Sequence, residues 1–133
     1  MSKLEKYHKL ESWVRQGENF SVEIVHWTLG EANKWNVYAR ISEKHPLFPE
    51  FILEDYNYYQ PATDKLPLHG GCTYFQVTQS VSDPEAKLVK AGSDYIHYGD
   101  EEFELATKPH PITINDAVEL YEFLRTYKAK EVA

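Results

Sequence analysis

A chain of 133 residues with 42% hydrophobic side chains is long enough to bury a core and reads as one domain, residues 1–133. Its net charge of −7 excludes broad nucleic-acid binding, because neutralising phosphates requires a basic surface. With one cysteine, Cys72, it has no internal disulfide, and it carries no signal-peptide pattern and no apolar run of membrane-span length. The expectation is a cytoplasmic protein with no membrane contact.

At the N-terminus Ser2-Lys3-Leu4-Glu5 has the form of a capping box. Leu4, Tyr7, Leu10, Trp13 and Val14 then recur at helical spacing, and Gly17 is a plausible stop, so a first helix is predicted. Residues 20–29 are rich in β-formers, and residues 34–42 alternate Trp35, Val37, Ala39 and Ile41 against Asn36, Tyr38 and Arg40. The turn-prone link Gly30-Glu31-Ala32-Asn33 joins them into a predicted antiparallel hairpin.

Residues 43–70 read as irregular, broken by His45-Pro46-Leu47-Phe48-Pro49 and Gln60-Pro61. They hold an aromatic patch of Phe51, Tyr56, Tyr58 and Tyr59. A loop this long is either functional or hides a short element. Residues 73–78 read as a third strand and Ser82-Asp83-Pro84-Glu85 as a turn. Residues 86–98 contain a fourth strand with Gly92 as a point of interruption, and Phe103-Glu104-Leu105 a short fifth. Lys108-Pro109-His110-Pro111 closes the sheet region. Thr113-Ile114-Asn115-Asp116 forms a second capping box, followed by the helical stripe Ile114, Ala117, Val118, Tyr121 and Leu124. Lys128 and Lys130 suit its C-terminal end. The predicted fold is α+β: an antiparallel sheet of four to five strands with N- and C-terminal helices packed on it.

Two short segments place ionisable groups beside glycines. In the first, His69-Gly70-Gly71 precedes a strand that opens near Thr73. Its glycines permit a tight turn that offers backbone N–H groups of Gly70 and Gly71 to a ligand. In the second, Asp94, His97 and Asp100 recur at intervals of three. A strand would point Asp94 and His97 to opposite sides, so three convergent ligands need a bend near Gly99. Whether a metal or other cofactor is held there stays open. Cys72 is expected to be a buried small hydrophobe and not a nucleophile. Tyr95 and Tyr98 could stack a planar ligand, and His45 could close over a pocket.

The ordered set His45-Pro46-Leu47, His69-Gly70-Gly71-x-Thr73-Tyr74 and Gly92-x-Asp94-x-x-His97-x-Gly99-Asp100 resembles a family of small phage and prophage proteins, largely uncharacterised. The resemblance spans about residues 35–125 and departs from the family at Cys72 and Ser93, where an aliphatic and an aromatic residue are usual. It implies a phage-associated accessory role in the host cytoplasm and marks His69, Asp94, His97 and Asp100 as site residues.

Three readings follow. The first is an accessory protein that captures a small polar, nucleotide-like ligand and so counters a host defence. His45, Gly70, Gly71, Thr73, Tyr95 and Tyr98 would line its pocket. The second is a small hydrolase, with or without metal, using His69 and His97 as acid and base with Asp94 and Asp100 in support. The third is an acidic inhibitor that docks on a host protein. Homo-oligomers fit all three.

Overall fold

The alternation of residues 34–42 decides which side of the sheet becomes the core. In the computed structural model, residues 7–54, 58–79, 85–95 and 100–128 are described. Five strands form one antiparallel sheet: β1 (Tyr7–Gly17), β2 (Phe20–Leu29), β3 (Ala32–Ser42), β4 (Tyr74–Gln79) and β5 (Lys87–Asp94), in the spatial order β1-β2-β3-β5-β4. Among the described residues three helices accompany it: α1 (Pro61–Asp64), α2 (Glu101–Glu104) and α3 (Pro111–Thr126). This is the α+β architecture read from the sequence.

Register aligns one continuous apolar face across the sheet. Trp13 pairs with Ile24, Ile24 with Val37, and Val37 with Ser93, while Ala39 pairs with Ala91 and Ala91 with Phe75. Helix α3 covers this face through the buried Thr113, Leu120 and Leu124. The opposite face carries polar pairs such as Arg40 Nη1 on Glu23 Oε1 at 2.6 Å.

The predicted hairpin is present as β2 and β3, closed by Gly30 at φ 62°, the first residue of a two-residue turn between Leu29 and Ala32. Positive φ at that position suits a type II′ turn, which matches strand twist.

The N-terminal helix is not formed, and residues 7–17 are strand β1 instead. The spacing of Tyr7, Trp13 and Val14 fits a helix, and the stretch from Glu11 to Gln16 carries no alternation that would mark a strand. Tertiary pairing overrides this local signal. β2 supplies a backbone partner along nearly all of β1, and Trp13 stacks on Trp35 with ring centroids 6.1 Å apart. The connection is also closed tightly, with Asn19 at φ 66° and the Phe20 ring against Gly17. The capping box at Ser2-Lys3-Leu4-Glu5 lies outside the described residues.

Three further expectations change. Phe103 and Glu104 belong to helix α2 and not to a fifth strand, because the Phe103 ring enters the core from a helical turn. Helix α3 starts before the second capping box, at Pro111, with His110 as N-cap: its Nδ1 accepts from Ile112 N at 3.1 Å. Proline at the first helical position loses no hydrogen bond, so it favours this earlier start. β5 runs unbroken through Gly92. There the Tyr38 ring crosses the strand, and an added Cβ would lie 2.3 Å from Val37 O and 2.5 Å from Tyr38 Cδ1.

The irregular stretch 43–70 turns out to build core. It contains a 3₁₀ turn, Phe48–Glu50, and helix α1, and it buries Leu47, Phe48, Phe51, Ala62 and Leu66. The buried Gln60 clamps it, accepting from Ile52 N at 2.7 Å and donating to Ile52 O at 3.2 Å.

Two stability outcomes follow. Gly92→Ala should lower unfolding free energy by about 1–3 kcal/mol in denaturant titration, as overpacking does. Leu124→Ala should lower it by about 2–5 kcal/mol, and Val118→Ala, at a half-exposed position of the same helix, by clearly less. Equal losses at both helix positions would contradict the described face of α3.

Candidate functional site

The glycines after His69 build the turn that places it. Gly71 N donates to Leu68 O at 3.0 Å, and Gly70 and Gly71 take φ of 68° and 88°. Side chains rarely tolerate that region, so the two glycines set the turn. The Gly71 N–H therefore closes the turn and does not point to a ligand.

The His69 ring lies flat on Tyr95, with centroids 4.3 Å apart and planes 12° apart. Its Nε2–H donates to both oxygens of Asp100, at 2.9 and 3.0 Å. A carboxylate can only accept, which places a proton on Nε2. Asp100 sits at the start of α2, but its carboxyl makes no cap there and turns to His69. It is 7% exposed. The other ring nitrogen, Nδ1, is 3.9 Å from Asp116 Oδ2. That oxygen accepts from Tyr95 Oη at 2.5 Å. Phe103 completes the floor, tilted on Tyr95 at 4.9 Å and edge-on to His69 at 5.7 Å.

The result is a chain of polar groups, Asp100–His69–Asp116–Tyr95, on an aromatic base. Asp100 and Tyr95 are buried, while the side chains of His69 and Asp116 are 25% and 22% exposed. Burial first, and then the neighbouring Asp116, push the Tyr95 hydroxyl far above the ordinary tyrosine range. Tyr95 therefore acts as a hydrogen-bond donor and not as a base.

The structure brings together His69, Gly70, Tyr95 and Asp100 from the residues singled out in the sequence. Asp94 goes elsewhere. It pairs across the sheet with Asn36, and alternation along β5 sends it to the face opposite Tyr95. There Asp94 N donates to Thr73 Oγ1 at 3.2 Å, and that hydroxyl lies 3.4 Å from Asp94 Oδ2. Thr73 and Asp94 thus lock the junction of β4 and β5.

His45 is buried further along α3. Its Nδ1 accepts from Leu47 N at 3.0 Å and its Nε2–H donates to Leu124 O at 2.8 Å. Leu124 follows Asp116 by eight residues, about 12 Å along the helix axis. Both nitrogens of His45 are occupied in tying the loop to the end of α3. His97 and Tyr98 lie outside the described residues.

Asp116 was not among the site residues expected from the sequence, where it only completed a capping box. Its signal was spacing. Thr113, Asp116, Leu120 and Leu124 share one helical face, so a carboxylate interrupts the buried stripe. An acid in that position needs a partner.

Among the described residues, no group of three or more His, Cys, Asp and Glu side chains is arranged to hold a metal ion. Cys72 is half-buried and donates to Tyr74 O at 3.1 Å, and burial raises its thiol above the usual range. The chain matches no protein-family model, no curated protein and no solved structure.

Two measurements probe this description. In the unfolded chain Tyr95 ionises near pH 10, and in the native protein well above it, so the native advantage of its neutral form fades as pH rises past about 10. The stability gap between wild type and Tyr95→Phe should therefore narrow between about pH 9 and pH 11 in denaturant titrations. Cys72 should react with a thiol reagent in the native protein far more slowly than in denaturant. Equal rates would contradict its burial.

Proposed function

We propose that the protein binds a small, planar, hydrogen-bond-donating molecule, of the nucleoside type, at His69 and Asp116. The observation that carries this reading is Asp116. One of its oxygens takes the Tyr95 hydroxyl, whereas Oδ1 has no hydrogen bond to any described residue, and the side chain is 22% exposed. A partly buried carboxylate oxygen beside an oriented imidazole is a strong acceptor for a ligand N–H or O–H.

The surroundings suggest what kind of ligand fits. The His69 ring is itself stacked on Tyr95, and a planar ligand suits such aromatic surroundings. Asp100 and Asp116 flank the ring on a chain of net charge −7, so an anionic group would meet repulsion. The reading thus favours an uncharged base or nucleoside over a polyphosphate. In the setting that the phage-family resemblance implies, the ligand is a small host molecule and the role is that of an accessory protein acting against a host defence.

A second reading is favoured by the hold of Asp100 on His69. A carboxylate that orients an imidazole is the arrangement used for general acid–base catalysis. As a hydrolase, the protein would use His69 to activate water, with Asp100 positioning the ring.

Ligand-observed NMR with adenosine, cytidine, guanosine and uridine separates the readings. At least one nucleoside should bind without being consumed, and Asp116→Asn should weaken it about tenfold or more, since hydrogen bonds to charged groups are worth about 1.5–3 kcal/mol. Turnover that is lost in His69→Ala would favour the hydrolase. No binding by any of the four, or binding indifferent to Asp116→Asn, would defeat the nucleoside reading.

A further inference from the structure

We propose that β1 is a dimerisation edge, pairing antiparallel with β1 of a second copy in the register that sets Trp13 opposite the partner's Trp13. β1 is the outermost strand of the sheet, so one side of its backbone has no strand partner among the described residues. From Glu11 to Gln16 every residue is exposed, including Trp13 at 37% and Val14 at 58%. The only irregularity in its pairing with β2 falls between Lys9 and Glu11, which leaves Glu11–Gly17 regular. An exposed, regular edge of this kind is a template for another strand.

The charges on that edge choose the partner. Glu11, Trp13 and Arg15 share one face of β1, since they pair with His26, Ile24 and Val22 of β2. A two-fold axis perpendicular to the sheet keeps each side chain on its own face. Facing residues must then have numbers of the same parity. The register centred on Trp13 meets this condition, and it places Glu11 opposite the partner's Arg15 and Arg15 opposite the partner's Glu11. Shifting the centre by one residue either way puts Glu11 or Arg15 beside Trp13 or Gly17 and loses both ion pairs. Among the described residues neither Glu11 nor Arg15 takes part in an ion pair. Arg15 is nevertheless held in place, its guanidinium 3.7 Å from the centre of the Tyr121 ring.

The surface beside the strand suits the same partner. Trp13, Val14, Arg15, Ile114, Val118 and Tyr121 line an apolar groove of about 170 Å³ between β1 and α3. Ile114 and Val118 are each more than two-fifths exposed there. Edge pairing would put both copies of α3 on the same face of one ten-stranded sheet. The helices would stand over β2 and the partner's β2, three strand spacings or about 14 Å apart. Packed helices lie 8–10 Å apart, so a trough remains, and the two Trp13 rings are the side chains placed to fill it. A segment of an unrelated protein would need its own charges in this order, whereas a second copy carries them by construction.

The test is sedimentation velocity of the full-length protein from micromolar to submillimolar concentration, with circular dichroism of every variant. Wild type should associate reversibly to a dimer. Glu11→Arg and Arg15→Glu should each weaken self-association about tenfold or more, because two opposite-charge cross-strand pairs become two like-charge pairs. Mixing these two variants should restore association as a heterodimer, since each then supplies the charges the other lacks. The double variant Glu11→Arg/Arg15→Glu should dimerise like wild type. Should Arg15→Glu fail to fold without its Tyr121 contact, Glu11→Arg alone decides, because Glu11 has no such contact among the described residues. A wild type that stays monomeric throughout overturns the proposal, as does a dimer indifferent to these reversals.

Discussion

The hydrogen bond from Trp35 Nε1 to Phe103 O, at 3.0 Å, is the constraint on which the site depends. Trp35 is fully buried in β3, and a buried indole N–H must find an acceptor. Its acceptor lies in α2, which has four residues and could not persist alone as a helix. Lys34 and Asn33 add to the hold: Lys34 Nζ lies 2.6 Å from Glu104 Oε1, and Asn33 Nδ2 donates to Glu104 O at 3.0 Å. The central strand therefore fixes α2. With α2 fixed, Asp100 is set at its start and Phe103 is inserted under Tyr95. His69 then has both a carboxylate and an aromatic floor to dock on.

A polar cluster at the margin of an apolar core is a balance of opposing terms. Desolvating Asp100 is unfavourable, and the paired donation from His69 offsets it. Asp116 is offset by the Tyr95 hydroxyl. Each group has a neighbour from a different segment: the turn at residues 68–71, the end of β5, the start of α2 and the middle of α3. None of these segments would hold its side chain in place alone. Such a network loses more than one interaction when any member is removed, because the partner left behind is also desolvated.

The stretch between β3 and β4 illustrates how irregular backbone can still be core. Its prolines exclude long helices and central strands, yet Leu47, Phe48, Phe51, Ala62 and Leu66 all enter the interior. The backbone polar groups released by the irregularity are taken up locally, by Gln60 on Ile52 and by His45 on Leu47 and Leu124. His45 thus serves the junction of this stretch with α3.

Local pattern was enough for the parts of this protein whose period was unambiguous. The alternation of residues 34–42 determined β3 and its buried face, the link at Gly30 determined the hairpin, and the apolar stripe through Leu124 determined α3. The pairing of glycines with ionisable residues marked His69 and Asp100, which meet in space although thirty-one positions separate them. Tertiary structure decided the rest. Residues 7–17 carry helical spacing and no strand alternation, and only the presence of β2 and Trp35 selects a strand. Phe103 takes a helical turn because Trp35 needs its carbonyl. Asp94 and Tyr95 are neighbours in the chain, but alternation fixes that they part, and only the register of β5 against β3 says which one faces α3 and His69. Asp116 becomes a site residue because packing of α3 turns the face it shares with Leu120 and Leu124 toward Tyr95. In each case the local sequence left more than one answer open, and a long-range backbone or side-chain partner removed all but one.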